Sequence, residues 1–399
     1  MTTALIVGGG IAGPATAMAL HKAGIRSVVH EAYDVGADEA GAFVTLMENG
    51  LDALRAIDAL EPVLERSFPA AGVDFMSSSG RALGHVTLGD GPSGDATPRT
   101  PRTLRRSALY RVLYEEAARR GIPVEHGKRF TGATATPGGR VTASFADGST
   151  AEGDLLIGAD GLRSTTRQVI DPDAPGPRYT GLNTVFGYTR DSSAPAAPDG
   201  YRMIYGKRSF VGYTTAPDGE TWWFVNMPGP ELTRADITGT TSDQWRERLL
   251  ALFAQDTTPA ADLVAATGPT LISSNTYDLP RLPVWQNGTM VVIGDAAHAA
   301  AHAGQGGSMA LEDSVILAKC LRDVPGIPQA LKTYEHLRRD RVERVVALSA
   351  RMGDDKMPSR LKRVLRDAMM PRLLERGRPG TPGWLAGHRI DWQAPVGAA

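Results

Sequence analysis

A glycine-rich turn near the start of the chain is the feature that most constrains its fold. An apolar run of strand character leads into Gly8, Gly10 and Gly13, and residues 14–23 have the pattern of a helix. The next apolar run ends at the acidic residue Glu31. A strand, a tight glycine turn, a helix and a second strand with a terminal acid predict a Rossmann-like α/β unit, whose helix N-terminus holds the pyrophosphate of a dinucleotide.

Glycine spacing by itself is weak evidence, because a chain with 45 glycines in 399 residues can match it by chance. The segment 89–94 has the same spacing, but Pro98 and Pro101 follow it, so no helix can begin there. We therefore assign only the first copy to a dinucleotide, with Glu31 on the adenosine ribose, where an acid disfavours the 2′-phosphate of NADP. This motif alone leaves NAD and FAD equally open. The predicted contacts are Gly8, Gly10, Ile11, Ala12, Gly13, Glu31 and Ala32.

Composition and charge exclude several classes of protein. A formal net charge of −1 gives no basic surplus for nucleic-acid binding, and a single cysteine, Cys320, excludes an intrachain disulfide. No stretch approaches the roughly 18 apolar residues of a membrane span, and the first apolar run is too short for a signal peptide.

His298 and His302 have a spacing that could hold a metal on a helix, but no third ligand is evident. We expect a cytoplasmic, metal-free protein, either a monomer or a homodimer.

The order of the remaining segments predicts an α/β protein with a second domain built on an antiparallel β-sheet and with C-terminal helices. Between residues 176 and 230, short runs of aromatic and β-branched residues alternate with turn residues, which is typical of antiparallel strands. Residues 84–103 are rich in Gly, Pro, Ser and Thr and predict an exposed loop. The predicted boundaries are 1–70, 101–175 and 276–345 for a discontinuous dinucleotide-binding domain, 71–100 and 176–275 for the sheet domain, and 346–399 for a C-terminal helical segment.

Aromatic residues of the predicted sheet are the candidates for lining a substrate pocket. On the strand 221–227, Trp222 and Phe224 lie on one face, and Trp223 and Val225 on the other. Strands carry aromatics for packing as well as for binding, and the sequence leaves open which face covers the pocket. The candidate lining residues are Tyr205, Phe210, Trp222, Phe224 and His302.

The C-terminal segment 356–378 is basic and has apolar residues at helical spacing, among them Leu361, Val364, Leu365 and Met369. Such a helix could lie on a membrane surface. We expect instead that its apolar side docks on the dinucleotide-binding domain and that its charges are solvated.

Two later motifs distinguish FAD from NAD. The sequence GDLLIGADGLRS at 153–164 resembles the "DG" motif of the class A flavoprotein monooxygenases, the enzymes related to para-hydroxybenzoate hydroxylase. The sequence VVIGDAAH at 291–298, continuing through 304–313, resembles their "GD" motif, and residues 41–50 resemble their segment beside the isoalloxazine. The order and separation of the glycine turn and these two motifs match the family across essentially the whole chain.

The resemblance implies tightly bound, non-covalent FAD, with NAD(P)H as a transient reductant. It also implies that O2 forms a flavin C4a-hydroperoxide, which oxygenates an aromatic, quinone or polyketide-like small molecule. The flavin carries this chemistry, so no catalytic side chain is assigned. One departure is the segment 299–303, which lacks the family's proline and is about a residue shorter. The further cofactor residues that the resemblance implies are Arg106, Asp160, Gly161, Gly294, Asp295, Gly304, Gln305, Gly306, Gly307 and Ser308.

Two other functions remain open at this stage. One is an FAD-dependent reductase or oxidase that inserts no oxygen, which would couple NAD(P)H oxidation to peroxide or to a reduced product. The other is a flavin-retaining binding protein without turnover, which the altered segment 299–303 makes conceivable.

Overall fold

A computed structural model of the protein describes residues 2–34, 42–89, 100–136, 138–356, 360–375 and 383–397. Of the discarded glycine segment 89–94, only Gly89 falls within these residues. The strands are β1 (Thr3–Val7), β2 (Arg26–His30), β3 (Phe43–Leu46), β4 (Phe68–Pro69), β5 (Gly72–Ser77), β6 (Ala82–Thr87), β7 (Arg102–Arg105), β8 (Val124–Glu125), β9 (Phe130–Ala135), β10 (Val141–Phe145), β11 (Thr150–Gly153), β12 (Leu155–Gly158), β13 (Arg178–Thr189), β14 (Gly200–Tyr205), β15 (Phe210–Thr215), β16 (Thr221–Pro228), β17 (Ile272–Asp278) and β18 (Met290–Val292). The helices are α1 (Ala12–Lys22), α2 (Glu48–Ala56), α3 (Leu60–Glu65), α4 (Arg106–Arg119), α5 (Thr165–Ile170), α6 (Arg234–Gly239), α7 (Ser242–Phe253), α8 (Ala260–Ala265), α9 (Gly306–Asp323), α10 (Ile327–Lys356), α11 (Arg360–Glu375) and α12 (Gly383–Ala386).

A parallel sheet with the strand order β18-β12-β1-β2-β8 forms the centre of the first domain. Its central strands are apolar on both sides, because each side is covered. Ile6 on one side packs with helices α1 and α9, while Leu5 and Leu156 on the other side pack with Phe145 of the small antiparallel sheet β11-β10-β9. The carboxyl ends of β1, β12 and β18 therefore meet at one edge, where the predicted glycine and aspartate motifs lie.

The second domain is a seven-stranded sheet in the order β17-β13-β16-β15-β14-β5-β6. All of its neighbouring strands are antiparallel except β14 and β5, which are parallel. One face carries Trp223 and Val225, which are fully buried and pack with Trp245 of α7 and Leu263 of α8. The other face turns toward β3 of the first domain. The predicted α/β fold with a second antiparallel sheet is confirmed, while the predicted domain boundaries stay a prediction.

Two expectations about segments outside the motifs were wrong. Residues 84–87 are the end of β6 and residues 102–103 belong to β7, so the ends of the predicted 84–103 loop are strand. Pairing of β6 with β5, and of β7 with β3, outweighs the local turn composition, since tertiary contacts override weak propensities.

The C-terminal segment also differs from expectation. Helix α11 packs on β6, an edge strand of the second domain's sheet, and not on the first domain. Its apolar residues Leu361, Val364 and Leu365 are exposed, while Arg366 is half-buried. The helical spacing was predicted correctly, but the side that faces the protein is the opposite one.

Candidate functional site

The glycine turn after β1 has the geometry that a bound phosphate requires. Gly8 has φ +102°, and a Cβ there would lie 2.4 Å from the carbonyl oxygen of Ala159, so only glycine fits. A Cβ on Gly13 would lie 1.9 Å from the carbonyl oxygen of Gly8, which makes the close packing of α1 on β1 depend on glycine. A Cβ on Gly10, by contrast, would meet nothing within 4 Å. The backbone at Gly10 is therefore open to a ligand.

Helices α1 and α9 both begin beside this opening without a cap. Neither N-cap residue, Ile11 or Gln305, makes a side-chain cap hydrogen bond, and neither first turn contains an acidic residue. The helices are held together by Ser314, which accepts a hydrogen bond from Thr16 Oγ1 at 2.8 Å and donates one to the carbonyl oxygen of Ala310 at 2.9 Å. Uncapped N–H groups and the positive ends of two helix dipoles thus converge on one cleft, which suits an anionic, polar ligand.

Glu31 lies at the end of β2, as predicted, and it also fixes the glycine turn. Its Oε2 accepts a hydrogen bond from the backbone N–H of Gly9 at 2.6 Å, and its Oε1 accepts one from the N–H of Tyr33 at 3.0 Å. Each carboxylate oxygen keeps a second lone pair, so these bonds leave capacity for ribose hydroxyls. The predicted contact of the neighbouring Ala32 stays a prediction.

Asp160 has a structural role that the motif comparison missed. Its Oδ1 accepts a hydrogen bond from Ser164 Oγ at 2.5 Å, and its Oδ2 accepts one from the N–H of Thr166 at 2.9 Å. Burial raises the pKa of Asp160, and these hydrogen bonds oppose that shift. Its carboxylate thus fixes the start of α5, and Gly161, with φ +73°, turns the chain between them. The predicted contacts of Asp160 and Gly161 with a cofactor stay predictions.

Arg167, at the same motif, links it to the other aspartate motif. Its Nη1 donates a hydrogen bond to the carbonyl oxygen of Ala296 at 3.0 Å, and its Nη2 donates one to that of Leu162 at 2.9 Å. The side chain is almost fully buried.

Asp295 has the properties of a ligand-binding carboxylate. It lies in a single helical turn, Gly294–Ala296, is open to solvent on the cleft side, and accepts no hydrogen bond within the part of the chain that the structure describes. The protein packed around it raises its pKa, while the charges of His298 and Arg106 lower it. Gly306, at the start of α9, is close enough that a Cβ there would lie 3.7 Å from Oδ1. A free carboxylate beside two uncapped helix ends can accept hydrogen bonds from the hydroxyls of a ribityl chain.

Arg106 begins α4 at the margin of the same cleft. Its main-chain N–H donates a hydrogen bond to the carbonyl oxygen of Ala42 at 3.0 Å, and its side-chain Nε donates one to the hydroxyl of Tyr110 at 2.6 Å. The guanidinium is exposed, and its charge acts on Asp295. It is therefore available as a cation beside Asp295, and its predicted contact with FAD stays a prediction.

Two buried amide groups with unused atoms meet at the N-terminal end of α9, one from α2 and one from the residue that precedes α9. Nδ2 of Asn49 donates hydrogen bonds to Oε1 of Gln305 at 3.2 Å and to Oε1 of Glu312 at 2.5 Å. Within the described residues, Oδ1 of Asn49 and Nε2 of Gln305 are buried and have no hydrogen-bond partner. Buried polar atoms are rarely left unpaired, so a polar ligand in the cleft is their expected partner. These atoms fit the polar edge of a flavin.

Ser308 and the neighbouring glycines shape the same helix start. Ser308 Oγ accepts a hydrogen bond from the N–H of Met47 at 3.0 Å, which ties α9 to the chain just after β3. A Cβ on Gly307 would lie 3.6 Å from the side chains of Ile11 and Leu46. Gly304 has φ +62°, which favours glycine where the chain enters α9. Their predicted contacts with FAD stay predictions.

Aromatic side chains from both domains meet across the cleft. Phe43 of β3 lies 5.8 Å from the ring of Trp222 and 6.3 Å from that of Phe224, measured between ring centroids. Phe210 is 6.2 Å from Phe224 and 5.1 Å from Tyr205. The four aromatics named from the sequence therefore share one face of the sheet, the face toward β3, and their predicted contact with substrate stays a prediction. Phe43 was missed, because its contacts depend on long-range packing.

Tyr201 is a second residue of this face that the sequence did not identify. Its hydroxyl lies 2.8 Å from Thr45 Oγ1 and 2.9 Å from Thr103 Oγ1, so it joins β14 to β3 and β7. Burial raises the pKa of Tyr201 to about 12, which keeps the hydroxyl protonated at neutral pH. The two domains are thus fixed relative to each other directly beside the aromatic cluster.

His302 lies away from this cluster. Its backbone N–H donates a hydrogen bond to Ser349 Oγ of α10 at 2.8 Å, and its ring approaches Gly353 so closely that a Cβ there would be 2.4 Å from His302 Cδ2. Its predicted contact with substrate stays a prediction.

Among the described residues, no group of three or more His, Cys, Asp or Glu side chains is arranged to hold a metal, and no helix is long and apolar enough to cross a membrane.

Comparison with known proteins agrees with this geometry. Residues 1–349 match the family described as an FAD binding domain. The chain is 29% identical over 358 residues to the aurachin C monooxygenase/isomerase of Stigmatella aurantiaca, covering 88% of each protein. It is 31% identical over 357 residues to the FAD-dependent urate hydroxylase of Klebsiella pneumoniae, covering 88% of this chain and 89% of that one. The crystal structure of Klebsiella pneumoniae HpxO complexed with FAD and uric acid superimposes with a TM-score of 0.83 and 27% identity, covering 93% of each chain.

Proposed function

Because the chain belongs to the FAD-binding family of class A flavoprotein monooxygenases, we propose that it is a single-component monooxygenase for a neutral, apolar aromatic small molecule. NAD(P)H is the transient reductant and O2 the oxidant in this proposal. One atom of O2 enters the substrate and the other leaves as water. FAD, when bound, supplies the redox chemistry and the activation of O2. The chain's own residues bind, orient and exclude water.

The observation that carries this proposal is the absence of charge on the part of the face toward β3 that the strands β5, β14, β15 and β16 form. In the described strands β5, β14, β15 and β16, the only charged residues are Asp74 and Arg202. Strand pairing places Phe75 and Met203 on the same face as Phe210 and Phe224. Because successive side chains of a strand point to opposite faces, the adjacent Asp74 and Arg202 lie on the other face. The face over the cleft is aromatic, with the neutral amide of Asn226 at one end.

An anionic substrate would be poorly held on such a face. Burying a carboxylate without a cation or sufficient donors costs several kcal/mol, whereas an apolar ring gains from burial and from contact with other rings. At the margin of the cluster, Arg105 stacks on Tyr188 at 4.3 Å and is paired with Glu220, so its charge is already compensated. These features favour a neutral aromatic ring over a benzoate-like acid.

Water exclusion follows from the same packing. Phe43 and Thr45 of β3 face the sheet, with Thr45 bonded to Tyr201, while Val44 and Leu46 face Gly307 at the start of α9. A ring bound beside this contact of β3 with the sheet is therefore screened from solvent by aromatic side chains. A dry, oriented site is what the protein contributes in a reaction whose electrons come from a cofactor.

The test is anaerobic reduction of the FAD-loaded protein by NADH and by NADPH, followed through loss of flavin absorbance. Neutral phenols, quinones and hydroxyquinolones are each compared with a derivative of the same compound that carries one added carboxylate. We expect a neutral compound to accelerate reduction manyfold, and its carboxylated partner to have little effect. Acceleration by the acids alone would overturn the neutral-substrate proposal. Rapid NAD(P)H oxidation in air that yields only hydrogen peroxide or a reduced compound would identify an oxidase or reductase instead.

A further inference from the structure

Helix α11 carries an apolar stripe that faces solvent. Leu361 is 79% exposed and Val364 is 69% exposed, and further apolar side chains of the same helix are exposed at helical spacing. Because residues three and four apart share one side of a helix, these residues form one continuous surface. We call it the α11 stripe, and its members are Leu361, Val364, Leu365, Met369 and Leu373.

The opposite side of α11 faces the protein and carries charged residues together with apolar ones, namely Arg363, Arg366, Asp367, Met370, Pro371 and Leu374. The guanidinium of Arg366 lies 4.0 Å from the ring centroid of Tyr205, and Arg363 donates a hydrogen bond to the carbonyl oxygen of Lys207. Arg81 donates a hydrogen bond to the carbonyl oxygen of Asp367. The helix thus docks through charged as well as apolar groups, and it leaves a second, apolar side facing solvent, which an ordinary surface helix does not do. A contiguous exposed apolar patch is a mark of an interaction surface.

Charge selects the kind of partner for the α11 stripe. The other exposed side chains of α11 that the structure describes are Lys362, Ala368 and Arg372, and none of these is acidic. The described acid of the helix, Asp367, is already paired with Arg366. An apolar stripe flanked by basic residues complements an anionic lipid surface, in which apolar side chains enter the acyl boundary and cations meet phosphates. A second copy of the chain would instead bring like charges together.

We propose that α11 docks the protein on anionic phospholipid membranes, with its axis parallel to the bilayer surface. The same helix touches the end of the aromatic face, since Arg366 covers Tyr205 and Leu374 packs against Gly84 of β6. Docking therefore brings one end of the aromatic face to the lipid surface, from which an apolar substrate enters. Lipid binding stands on the α11 stripe alone, while the route of the substrate rests on the proposed function.

The experiment is cosedimentation of the full-length, FAD-loaded protein with vesicles. Vesicles of phosphatidylcholine alone are compared with vesicles that also contain phosphatidylglycerol, at low and high salt. We expect binding to the phosphatidylglycerol vesicles, weaker binding at high salt, and little binding to phosphatidylcholine alone. Leu365→Asp should lower the bound fraction several-fold, because it puts a charge in the apolar stripe, and Lys362→Glu should lower it on anionic vesicles only.

The matched control is Leu337→Asp on α10, a similarly exposed helical leucine outside the stripe, which should bind as the unaltered protein does. Normal FAD content of each variant shows that it is folded. Equal binding by Leu365→Asp, or no binding to phosphatidylglycerol vesicles, would overturn the proposal. A dimer in light scattering that Leu365→Asp dissociates would assign the stripe to a second copy and would overturn it too. Vesicle binding without substrate-dependent flavin reduction would count against the proposed function and not against the docking.

Discussion

His298 and Asp313 are joined by a contact of 2.6 Å between the ring Nε2 and the carboxylate Oδ2. The same Oδ2 accepts a hydrogen bond from the N–H of Gly294 at 2.9 Å, and Oδ1 accepts one from Arg338 Nε at 2.7 Å. One buried carboxylate thus connects the turn of Asp295, helix α9 and helix α10. Asp295 can point into the cleft without a partner because the residues on either side of it are fixed in this way.

Removal of Arg338 should destabilise the protein strongly. Its guanidinium is buried between Asp313 and Glu312, with Nη1 2.5 Å from Glu312 Oε2. Arg338→Met would leave buried carboxylates with too few cations, and removing one partner of a buried pair costs about 3–5 kcal/mol. The control is Arg140→Met, whose pairs with Glu152 and Asp154 lie at the surface and are worth about 0–1 kcal/mol. Denaturant unfolding measures both, and equal losses would contradict the assignment.

Acid should destabilise the protein through the same carboxylates. Burial alone would raise the pKa of Asp313 and Glu312, but the charges of His298 and Arg338 on the first, and of Arg338 and Arg341 on the second, outweigh it and hold each pKa at about 2. A carboxyl group whose pKa is lower in the folded than in the unfolded protein stabilises the fold at a pH above its unfolded pKa. That stabilisation is lost as the pH falls to the pKa of the folded state. The free energy of unfolding should therefore fall between about pH 4.5 and about pH 2. Arg338→Met should show a smaller fall in this window, and an equal fall would argue against the network.

Substitution of Gly10 should separate cofactor binding from folding. Gly10→Val has open space for its side chain in the folded protein, but that space is the one assigned to the pyrophosphate. We expect a folded variant with a near-normal melting temperature without cofactor and a large loss of FAD retention. Gly132→Val is the matched control, because it too has open space and lies in β9, away from the cleft. Normal FAD content in Gly10→Val would refute this position for the phosphates.

Asp295→Ala should weaken FAD binding without unfolding the protein. The carboxylate makes no hydrogen bond within the described residues, so its loss breaks no internal contact. A hydrogen bond to a charged group contributes about 1.5–3 kcal/mol, which predicts an increase of about tenfold to a hundredfold in the Kd for FAD. Asp295→Asn should have an intermediate effect, since it keeps the shape and one acceptor. Fluorescence titration of the protein without cofactor measures the Kd, and an unchanged value would sink the assignment.

The sequence predicts those parts of the fold and site that depend on neighbours in the chain. The turn at Gly8 and the strand that ends at Asp295 carry their information within a few residues. Phe43 and Tyr201 were missed because their roles depend on the packing of β3 against a sheet formed far along the chain. For Asp160, the hydroxyl residues that follow it were a usable signal of a local cap. For Arg338, the adjacent acids Glu312 and Asp313 in an otherwise apolar helix start indicated that buried cations were needed.

Helix α11 shows a different limit of the sequence. Its period could be predicted, because the apolar residues recur every three or four positions. The side that faces the protein could not be predicted, because it depends on which groups β6 and the end of β14 present to the helix. Tyr205 stacks with the guanidinium of Arg366 and the main-chain oxygen of Lys207 accepts a hydrogen bond from Arg363, so the side with these arginines turns inward.

Turnover under ¹⁸O2 tests most directly whether this FAD-dependent enzyme inserts oxygen into its substrate. The FAD-loaded protein is supplied with NAD(P)H and the neutral aromatic compound that most accelerates flavin reduction. We predict a product that contains one ¹⁸O atom, formed in equal amount to the NAD(P)H consumed. Product without label, or NAD(P)H consumption matched by hydrogen peroxide alone, would contradict oxygen insertion.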